Sequence, residues 1–338
     1  MSSTKNETEE KGSKFRKRVL SGVQPSGKLH LGNYFGAIRQ HIALQDEGEC
    51  FYFIADYHSM TTISDGKTRR ENTNDVALDY LALGLDPAKA AFFRQSDVPE
   101  VCELSWIFAC MTNMGLIERA VSYKDKVARG LVPNVGLFTY PILMTADILI
   151  YRSTLVPVGE DQIHNIEITR DIAQRFNHAV GEEVFPMPNY RLDQVAKVPG
   201  LDGQKMSKSY GNTIDLFAEG SALKKTVMSI VTDSTPLESP KDPARCNVFA
   251  LYQLFASPEE QEEMANAYRQ GGFGYGEAKK RLLQKINDYF GPFREKRRQL
   301  VAQKDFVEDV LREGARVARN EARKTIDVVR ELTGLGRM

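Results

Sequence analysis

The chain has 338 residues, of which 42% are hydrophobic and 27% charged, a balance that excludes disordered and collagen-like proteins. Its 45 Lys and Arg residues equal its 45 Asp and Glu residues, which excludes binding to nucleic acid by net charge alone. Its apolar runs are too short to span a bilayer, its four Cys residues form no CxxC pair, and Met1 to Arg18 carry no export signal. We therefore expect a cytoplasmic protein with no membrane contact, no zinc site and no iron–sulfur cluster.

The first 16 residues have no periodic apolar pattern and are predicted to be a disordered extension. Short apolar runs then alternate with longer amphipathic stretches, and four of these runs are predicted to be strands: Arg18–Ser21, Cys50–Ala55, Ala91–Arg94 and Leu155–Val158. This alternation predicts an α/β domain with a parallel sheet over residues 17–204. Ligands bind beyond the carboxyl ends of such strands, so the loops after Leu20, Ile54, Arg94 and Val158 are the predicted functional edge.

From about Leu216 the strand-like runs give way to helical patterns: Ala222–Val231, Val248–Phe255, Pro258–Gln270, Tyr275–Phe290 and Pro292–Leu311. They predict a second, all-helical domain over residues 216–312, joined to the first by a loop and linker at 205–215. Residues 313–338 form a final helical pattern that we expect to pack back on the first domain. Residues 277–338 hold sixteen Lys and Arg against ten Asp and Glu, which indicates either contact with a polyanion or a solvated helical face.

The first predicted strand runs into a turn-rich loop that ends in His30-Leu-Gly-Asn33, just before a helical pattern. Free N–H groups at a helix N-terminus favour phosphate, and Gly32 allows a ligand to approach the backbone. A tight connection without a ligand is the alternative for such a loop.

A second loop, Gly200–Ser209, places Lys205 and Lys208 between the two predicted domains. Two ammonium groups there could neutralise a polyphosphate, and a solvated linker is the alternative. The segment Lys205-Met-Ser-Lys-Ser209 reproduces the KMSKS signature of class I aminoacyl-tRNA synthetases. His30-Leu-Gly-Asn33 resembles their HIGH signature, with Asn33 in place of the second His.

Two further segments, Thr139–Tyr151 and Val156–Gln162, resemble bacterial tryptophanyl-tRNA synthetases, and the resemblance covers residues 18–338. It implies a Rossmann-like catalytic domain, a helical domain that binds the tRNA anticodon, and a homodimer. The implied reaction joins L-tryptophan to ATP, with Mg²⁺, as tryptophanyl-adenylate and then transfers the tryptophanyl group to the 3′-terminal adenosine of tRNA(Trp).

Within the first of these segments, Tyr140, Met144 and Asp147 share one helical face. A buried Asp without a partner costs several kcal/mol, and an indole N–H is its natural complement. The resemblance implies the same role for Asp147. It also implies that further residues surround the amino acid: Leu20, His58, Val156, Val158 and Gln162.

Gly159-Glu160-Asp161 follows a predicted strand, where a carboxylate can accept from ribose hydroxyls, although Asp161 could equally cap a helix. The resemblance implies that the nucleotide binds to residues of this segment and of the two signature loops: Gln24, Pro25, Ser26, Gly32, Asn33, Gly159, Glu160, Asp161, Val198, Lys205, Met206, Ser207, Lys208 and Ser209. It also implies catalytic roles for His30, Lys205, Lys208 and a lysine at 124 or 126, of which Lys126 is preferred.

Three other functions remain open. A tyrosyl-tRNA synthetase shares the fold, and a phenol O–H could also donate to Asp147. A nucleotidyltransferase acting on small metabolites would not need the helical domain. A non-catalytic RNA-binding paralogue would not need His30 or the two loop lysines. For a synthetase, Lys296, Arg297 and Arg298 are the predicted contacts to tRNA phosphates.

Overall fold

The computed structural model describes residues 14–119, 134–192 and 197–336. Five strands form a sheet: β1 (Arg18–Val23), β2 (Glu49–Ile54), β3 (Ala90–Arg94), β4 (Leu155–Val158) and β5 (Asn189–Leu192). The helices up to β5 are α1 (Leu31–Asn33, continued by a π-helical segment, Tyr34–Ile38, and by Arg39–Ala43), α2 (Asp56–Ser59), α3 (Gly66–Ala82), α4 (Glu100–Met111), α5 (Met114–Glu118), α6 (Val135–Ile150) and α7 (Ile163–Val180). Those that follow are α8 (Gly220–Met228), α9 (Asn247–Tyr252), α10 (Pro258–Gln270), α11 (Tyr275–Val301) and α12 (Lys304–Thr333).

The sheet is parallel, with strand order β3-β2-β1-β4-β5. Strand β1 therefore lies in the middle of the sheet. Strands β2 and β3 extend the sheet to one side of β1, and the chain then returns to add β4 and β5 on the other side. Between β1 and β4 the direction of winding reverses, which creates a crevice at their carboxyl ends. The predicted α/β fold with a Rossmann-like parallel sheet is confirmed.

Because helices cover both faces of the sheet, the strand side chains that point to either face are mostly buried and apolar. Val19 and Tyr52 belong to one buried cluster, together with residues of α1 and α3. Their neighbours Leu20 and Phe51 belong to a second cluster, together with residues of α4 and α6. The strand side chains thus alternate between two cores, while the pairing of Val19 with Leu155 places β1 beside β4.

Strand β5 was not expected from the sequence. Its four residues, Asn-Tyr-Arg-Leu, are exposed or half-buried, and the strand pairs with β4 at the edge of the sheet. A short edge strand needs no apolar alternation, so the pattern gives no signal there.

In the described residues after Leu216 the regular structure is helical, as predicted. Two expected bounds are wrong. The two helices expected on either side of Pro292 are a single helix, α11, and the helix expected over Pro292–Leu311 is interrupted at Ala302 and Gln303. Pro292 removes only its own backbone donor, and the buried side chains of Phe290 and Arg294 on either side of it anchor the helix. No helix in the described ranges is both long and apolar enough to cross a membrane.

The last helix, α12, lies against strand β3. The guanidinium of Arg94 binds the carboxylate of Glu308, and a Cβ added at Gly314 would lie 2.0 Å from the carbonyl oxygen of Phe92, so only glycine permits this approach. The helices α8 to α12 form the helical region. This region also packs directly on α1, where the ring centroids of Tyr34 and Phe290 lie 5.2 Å apart. We keep the division into a catalytic and a helical domain as an interpretation of this arrangement.

Candidate active site

A cavity of about 810 Å³ opens at the carboxyl ends of β1 and β4, where the winding reverses. Its lining brings together most of the residues singled out from the sequence: Leu20, Gln24, His30, Asn33, His58, Tyr140, Met144, Asp147, Val156, Val158, Gly159, Asp161, Gln162, Lys205, Met206 and Ser207. Seven other predicted residues do not line it: Pro25, Ser26, Gly32, Glu160, Val198, Lys208 and Ser209. Lys124 and Lys126 lie outside the described residues.

Asp147 is 3% exposed and accepts hydrogen bonds from two side chains. Gln95 Nε2 lies 2.8 Å from Oδ1 and 2.9 Å from Oδ2, and His58 Nε2 donates to Oδ2 at 2.9 Å. Burial raises the pKa of Asp147, while the hydrogen bonds from His58 and Gln95 lower it. Asp147 therefore has protein partners for its buried carboxylate, so burial alone does not require a ligand N–H. Among the described residues, Oδ1 nevertheless accepts a hydrogen bond from Gln95 alone, which leaves an acceptor position for a ligand N–H.

The walls around Asp147 are partly aromatic. The imidazole of His58 meets the ring of Tyr140 edge-on, with ring centroids 6.1 Å apart. Gln24 Nε2 donates to the carbonyl oxygen of His58 at 3.2 Å, which ties the loop after β1 to α2. An apolar ring with one N–H group would find both stacking surfaces and an acceptor here.

The first signature loop is held by its own Asn. Asn33 Oδ1 accepts from the backbone N–H of His30 at 3.1 Å, so this side chain fixes the start of α1. Asn33 thus has a structural role in this loop, whether or not it also contacts a ligand.

His30 is a neutral side chain. Burial and the nearby Lys208 ammonium lower its pKa from 6.5 to about 4. Its Nδ1 is buried and has no hydrogen-bond partner in the part of the chain that the structure describes. A neutral imidazole keeps one N–H, so His30 can give one hydrogen bond but adds no cationic charge at neutral pH.

The two signature loops touch in three places. Gly32 N–H points at the Met206 sulfur, 3.3 Å away, and a Cβ at Gly32 would lie 3.0 Å from the His30 ring. Backbone hydrogen bonds join Leu31 N–H to Ile214 O at 3.0 Å and Leu216 N–H to the carbonyl oxygen of residue 29 at 3.1 Å. The segment after the second loop thus pairs with the segment that carries His30.

Lys208 makes the third contact. Its Nζ donates to Ser26 Oγ at 3.2 Å and to Gly27 O at 2.9 Å. Burial lowers the pKa of Lys208, and the carboxylates of Asp215 and Asp79 raise it. An ammonium has three donors, so one remains for a phosphate oxygen. Lys205 lines the cavity with an exposed side chain.

Asn212 shapes the second loop from within. Its Nδ2 donates to Asp202 Oδ1 at 2.7 Å and to Lys205 O at 3.2 Å, and its Oδ1 accepts from Ser207 N–H at 2.8 Å. A Cβ added at Gly200 would lie 2.2 Å from the same amide nitrogen, so the loop closes around Asn212. Val198 accepts from Met206 N–H at 2.9 Å at the base of this loop.

The segment after β4 forms a short 3₁₀ turn, Glu160–Gln162. Asp161 Oδ2 accepts from Gln162 Nε2 at 2.9 Å, and Gln162, not Asp161, is the N-cap residue of α7. The capping role considered for Asp161 is therefore excluded. Both side chains line the cavity, whereas Glu160 is exposed and does not.

Comparisons with known proteins agree with this geometry. The model of the family "tRNA synthetases class I (W and Y)" matches residues 13–291. Tryptophan–tRNA ligases of Rhodopirellula baltica and Fusobacterium nucleatum are 56% and 54% identical, in alignments that cover 94% of this chain and 99% and 98% of those proteins. The crystal structure of Campylobacter jejuni tryptophanyl-tRNA synthetase complexed with ADP and tryptophan superimposes with a TM-score of 0.89 at 49% identity, covering 94% of this chain and 100% of that one. The chain belongs to the class I tryptophanyl-tRNA synthetases.

Two buried side chains at the site of this synthetase, Gln95 and His41, were not predicted from the sequence. Gln95, which holds Asp147, follows β3 directly and so lies on the predicted functional edge, but a single Gln carries no motif. His41 lines the cavity, with Nε2 2.8 Å from Ser21 Oγ and Nδ1 3.2 Å from Tyr80 OH. Burial lowers its pKa to about 4, so His41 is a neutral part of the core below the cavity.

Proposed function

We propose that this synthetase activates L-tryptophan with ATP in the cavity and transfers the tryptophanyl group to the 3′-terminal adenosine of tRNA(Trp). One observation carries the proposal: the buried acceptor of Asp147 shares a single cavity with His30 and Lys205 from the two signature loops. A site of this kind recognises an N–H-bearing ring at one end and charged phosphates at the other.

In the first step an oxygen of the tryptophan carboxylate attacks the α-phosphorus of ATP. A bond forms between that oxygen and phosphorus, the bond from phosphorus to the bridging oxygen breaks, and pyrophosphate leaves with the negative charge. In the second step the 2′-hydroxyl oxygen of the terminal adenosine bonds to the carbonyl carbon, the bond from that carbon to the phosphate oxygen breaks, and AMP leaves while the hydroxyl proton passes to its phosphate and from there to solvent. The protein contributes mainly position and charge stabilisation to such a phosphoryl centre.

The residues divide this work by location. Gln24, Asn33 and the Gly159–Gln162 segment hold the nucleotide, and His30 donates a hydrogen bond as a neutral imidazole. Lys205 and Lys208 stabilise the charge that grows on the leaving pyrophosphate. Because Lys208 already touches the loop of the first signature, a small movement brings its third donor to a phosphate.

Tryptophan binds with its indole N–H on Asp147 Oδ1. Tyr140 and Met144 flank the carboxylate on α6, and the other apolar contacts come from the strand ends: Leu20, Val156 and Val158. A phenol is the nearest competing ligand, and the pocket discriminates against it by the position of the single acceptor.

Mg²⁺ enters with the triphosphate, since this ion keeps most of its ligands as water and phosphate oxygens. In the described residues no group of three or more His, Cys, Asp or Glu side chains could hold a metal ion. The absence of zinc and of an iron–sulfur cluster stays a prediction, as does the cytoplasmic location.

A homodimer and a tRNA-binding role of the helical region complete the proposal. Support for the dimer comes from large apolar side chains left exposed on α4, α5 and α6: Trp106 at 71%, Met114 at 63% and Val135 at 78%. Support for the tRNA contact comes from the basic excess of residues 277–338.

The proposal is tested by isotope exchange between pyrophosphate and ATP with tryptophan, tyrosine and phenylalanine in turn. We expect exchange with tryptophan alone at micromolar to millimolar concentrations, followed by charging of tRNA(Trp). Exchange that depends on tyrosine would assign the chain to the rival specificity. Failure with all three amino acids would overturn the proposed reaction.

A further inference from the structure

Gln95 connects two elements of the site without touching the cavity. It is 2% exposed and is not among the residues that line the cavity. A buried amide needs partners for both its NH₂ group and its oxygen. Gln95 finds them on α2, which carries His58, and on α6, which carries Asp147.

The neighbours fix which way the amide points. Gln95 Oε1 accepts from the backbone N–H groups of Tyr57 and His58, at 3.1 Å and 3.4 Å. Only the oxygen can accept, so the NH₂ group must face Asp147. There Nε2 lies 2.8 Å and 2.9 Å from the two carboxylate oxygens.

We infer that Gln95 is a positioning residue that sets the tryptophan specificity of the site by orienting Asp147 and His58. The inference rests on the proposed function. Because Nε2 bridges both oxygens of Asp147, it fixes the rotation of the carboxylate. With His58 on Oδ2, the free acceptor position is then confined to Oδ1.

The neutrality of the Gln95 side chain matters as much as its shape. A neutral amide holds the carboxylate without neutralising it, so Asp147 keeps its strength as an acceptor for a ligand N–H. A cation in the same place would compete with the ligand for that charge. The same amide also holds the backbone of His58, whose ring donates to Asp147 and meets Tyr140. Loss of Gln95 therefore removes the hydrogen bonds that hold the Asp147 carboxylate and the backbone of His58, whose ring forms one wall of the cavity.

The sharpest variant is Gln95→Glu. The new side chain keeps the length and the oxygen that accepts from Tyr57 and His58, but it presents a second carboxylate oxygen to Asp147. Gln95→Met keeps the length and removes every polar contact. Gln45→Glu is the matched control, because Gln45 is a buried glutamine, 7% exposed, that donates to Ile42 O at 2.8 Å and accepts from Asp86 N–H at 2.6 Å. It precedes β2 and so lies at the amino ends of the strands, opposite the carboxyl ends where the cavity opens.

The readouts are the KM values for tryptophan and ATP in pyrophosphate exchange, and the selectivity for tryptophan over 3-benzothienylalanine, an isostere with sulfur in place of the indole N–H. A pyrophosphate burst counts the active sites in each preparation. We expect each Gln95 variant to raise the tryptophan KM roughly 10- to 100-fold, to leave the ATP KM within about twofold, and to lose selectivity against the isostere. Gln45→Glu should leave all three values unchanged.

Wild-type tryptophan KM and selectivity in the Gln95 variants would overturn the inference, as would an equal loss for tryptophan and ATP. A wild-type enzyme without tryptophan-dependent exchange would instead overturn the proposed function, so the two failures are distinguishable.

Discussion

Lys208 Nζ donates to the carbonyl oxygen of Gly27 at 2.9 Å, across 181 residues of sequence. Gly27 has φ +108°, a conformation that favours glycine, and the turn presents its carbonyl to the second loop. The lysine therefore lies against the loop that carries Ser26 and Gly27. The ammonium is half-buried there, which lowers its pKa, and a phosphate would offset this desolvation by supplying opposite charge.

From this placement we expect Lys208→Ala to lower kcat for pyrophosphate exchange roughly 100-fold, with a smaller change in the ATP KM. The reason is that charge on the leaving pyrophosphate grows as the bond breaks, so the ammonium stabilises the transition state more than the bound ATP. Lys205→Ala should act in the same direction. Lys225→Ala, an exposed lysine on α8, is the control and should change neither constant.

Steady-state exchange kinetics at varied ATP concentration distinguish an effect of the lysines on kcat from an effect on the ATP KM. A rise confined to the ATP KM would mean that Lys208 binds ATP and transition state equally, and would refute the transition-state role.

His41 gives the fold a measurable sensitivity to acid. Its folded pKa of about 4 lies below the ordinary value of 6.5, so the unfolded chain binds a proton that the folded chain does not. The stability from neutral His41 is fully present above pH 6.5 and is lost as the pH falls towards 4, by up to about 3 kcal/mol. We expect His41→Gln to flatten this loss in urea unfolding curves recorded between pH 7 and 4. Parallel pH profiles for variant and wild type would contradict this assignment.

Arg297 contributes to the packing of the helical region, and its predicted contact with a tRNA phosphate stays a prediction. Its Nε donates to Asp79 Oδ1 at 2.5 Å, its Nη2 donates to Asp75 Oδ1 at 2.8 Å, and the guanidinium lies 5.1 Å from the Phe217 ring. Burial raises the pKa of Asp79 to about 7, and Arg297 lowers it. We expect Arg297→Met to lower the free energy of unfolding by about 3 kcal/mol, because it leaves a buried carboxylate unpaired.

Its neighbour Lys296 is exposed and provides the contrast. Lys296→Ala should weaken tRNA binding and reduce the slope of log affinity against log salt by about one, with stability unchanged. Arg298, which pairs with Glu219 and Glu295, should have a smaller effect. A wild-type salt slope for Lys296→Ala would mean that the tRNA docks on another surface.

The fold was predictable where side chains are buried on both faces of a strand. Strands β1 to β4 are short apolar runs, and their alternation with helical patterns already implies a parallel sheet. Strand β5 and the uninterrupted helix through Pro292 were not predictable, because edge pairing and tertiary packing decide them and neither leaves a local pattern.

The site was predictable where a motif fixes several residues at once. His30, Lys205 and Asp147 come from segments that resemble a family, and the fold brings them into one cavity. Gln95 and Asn212 act through contacts with residues distant in sequence or through the shape of a loop. A single amide has no pattern of its own, so only the three-dimensional arrangement identifies it.

The most direct measurement is tryptophan-dependent pyrophosphate exchange by the wild type and by Asp147→Ala, with tyrosine and phenylalanine as competing substrates. Removal of the carboxylate takes away the acceptor for the indole N–H and leaves the donors of Gln95 and His58 without their partner. We predict a tryptophan KM at least about tenfold higher, impaired discrimination against tyrosine and phenylalanine, and an ATP KM close to that of the wild type. Wild-type affinity and selectivity for tryptophan in Asp147→Ala would contradict the account.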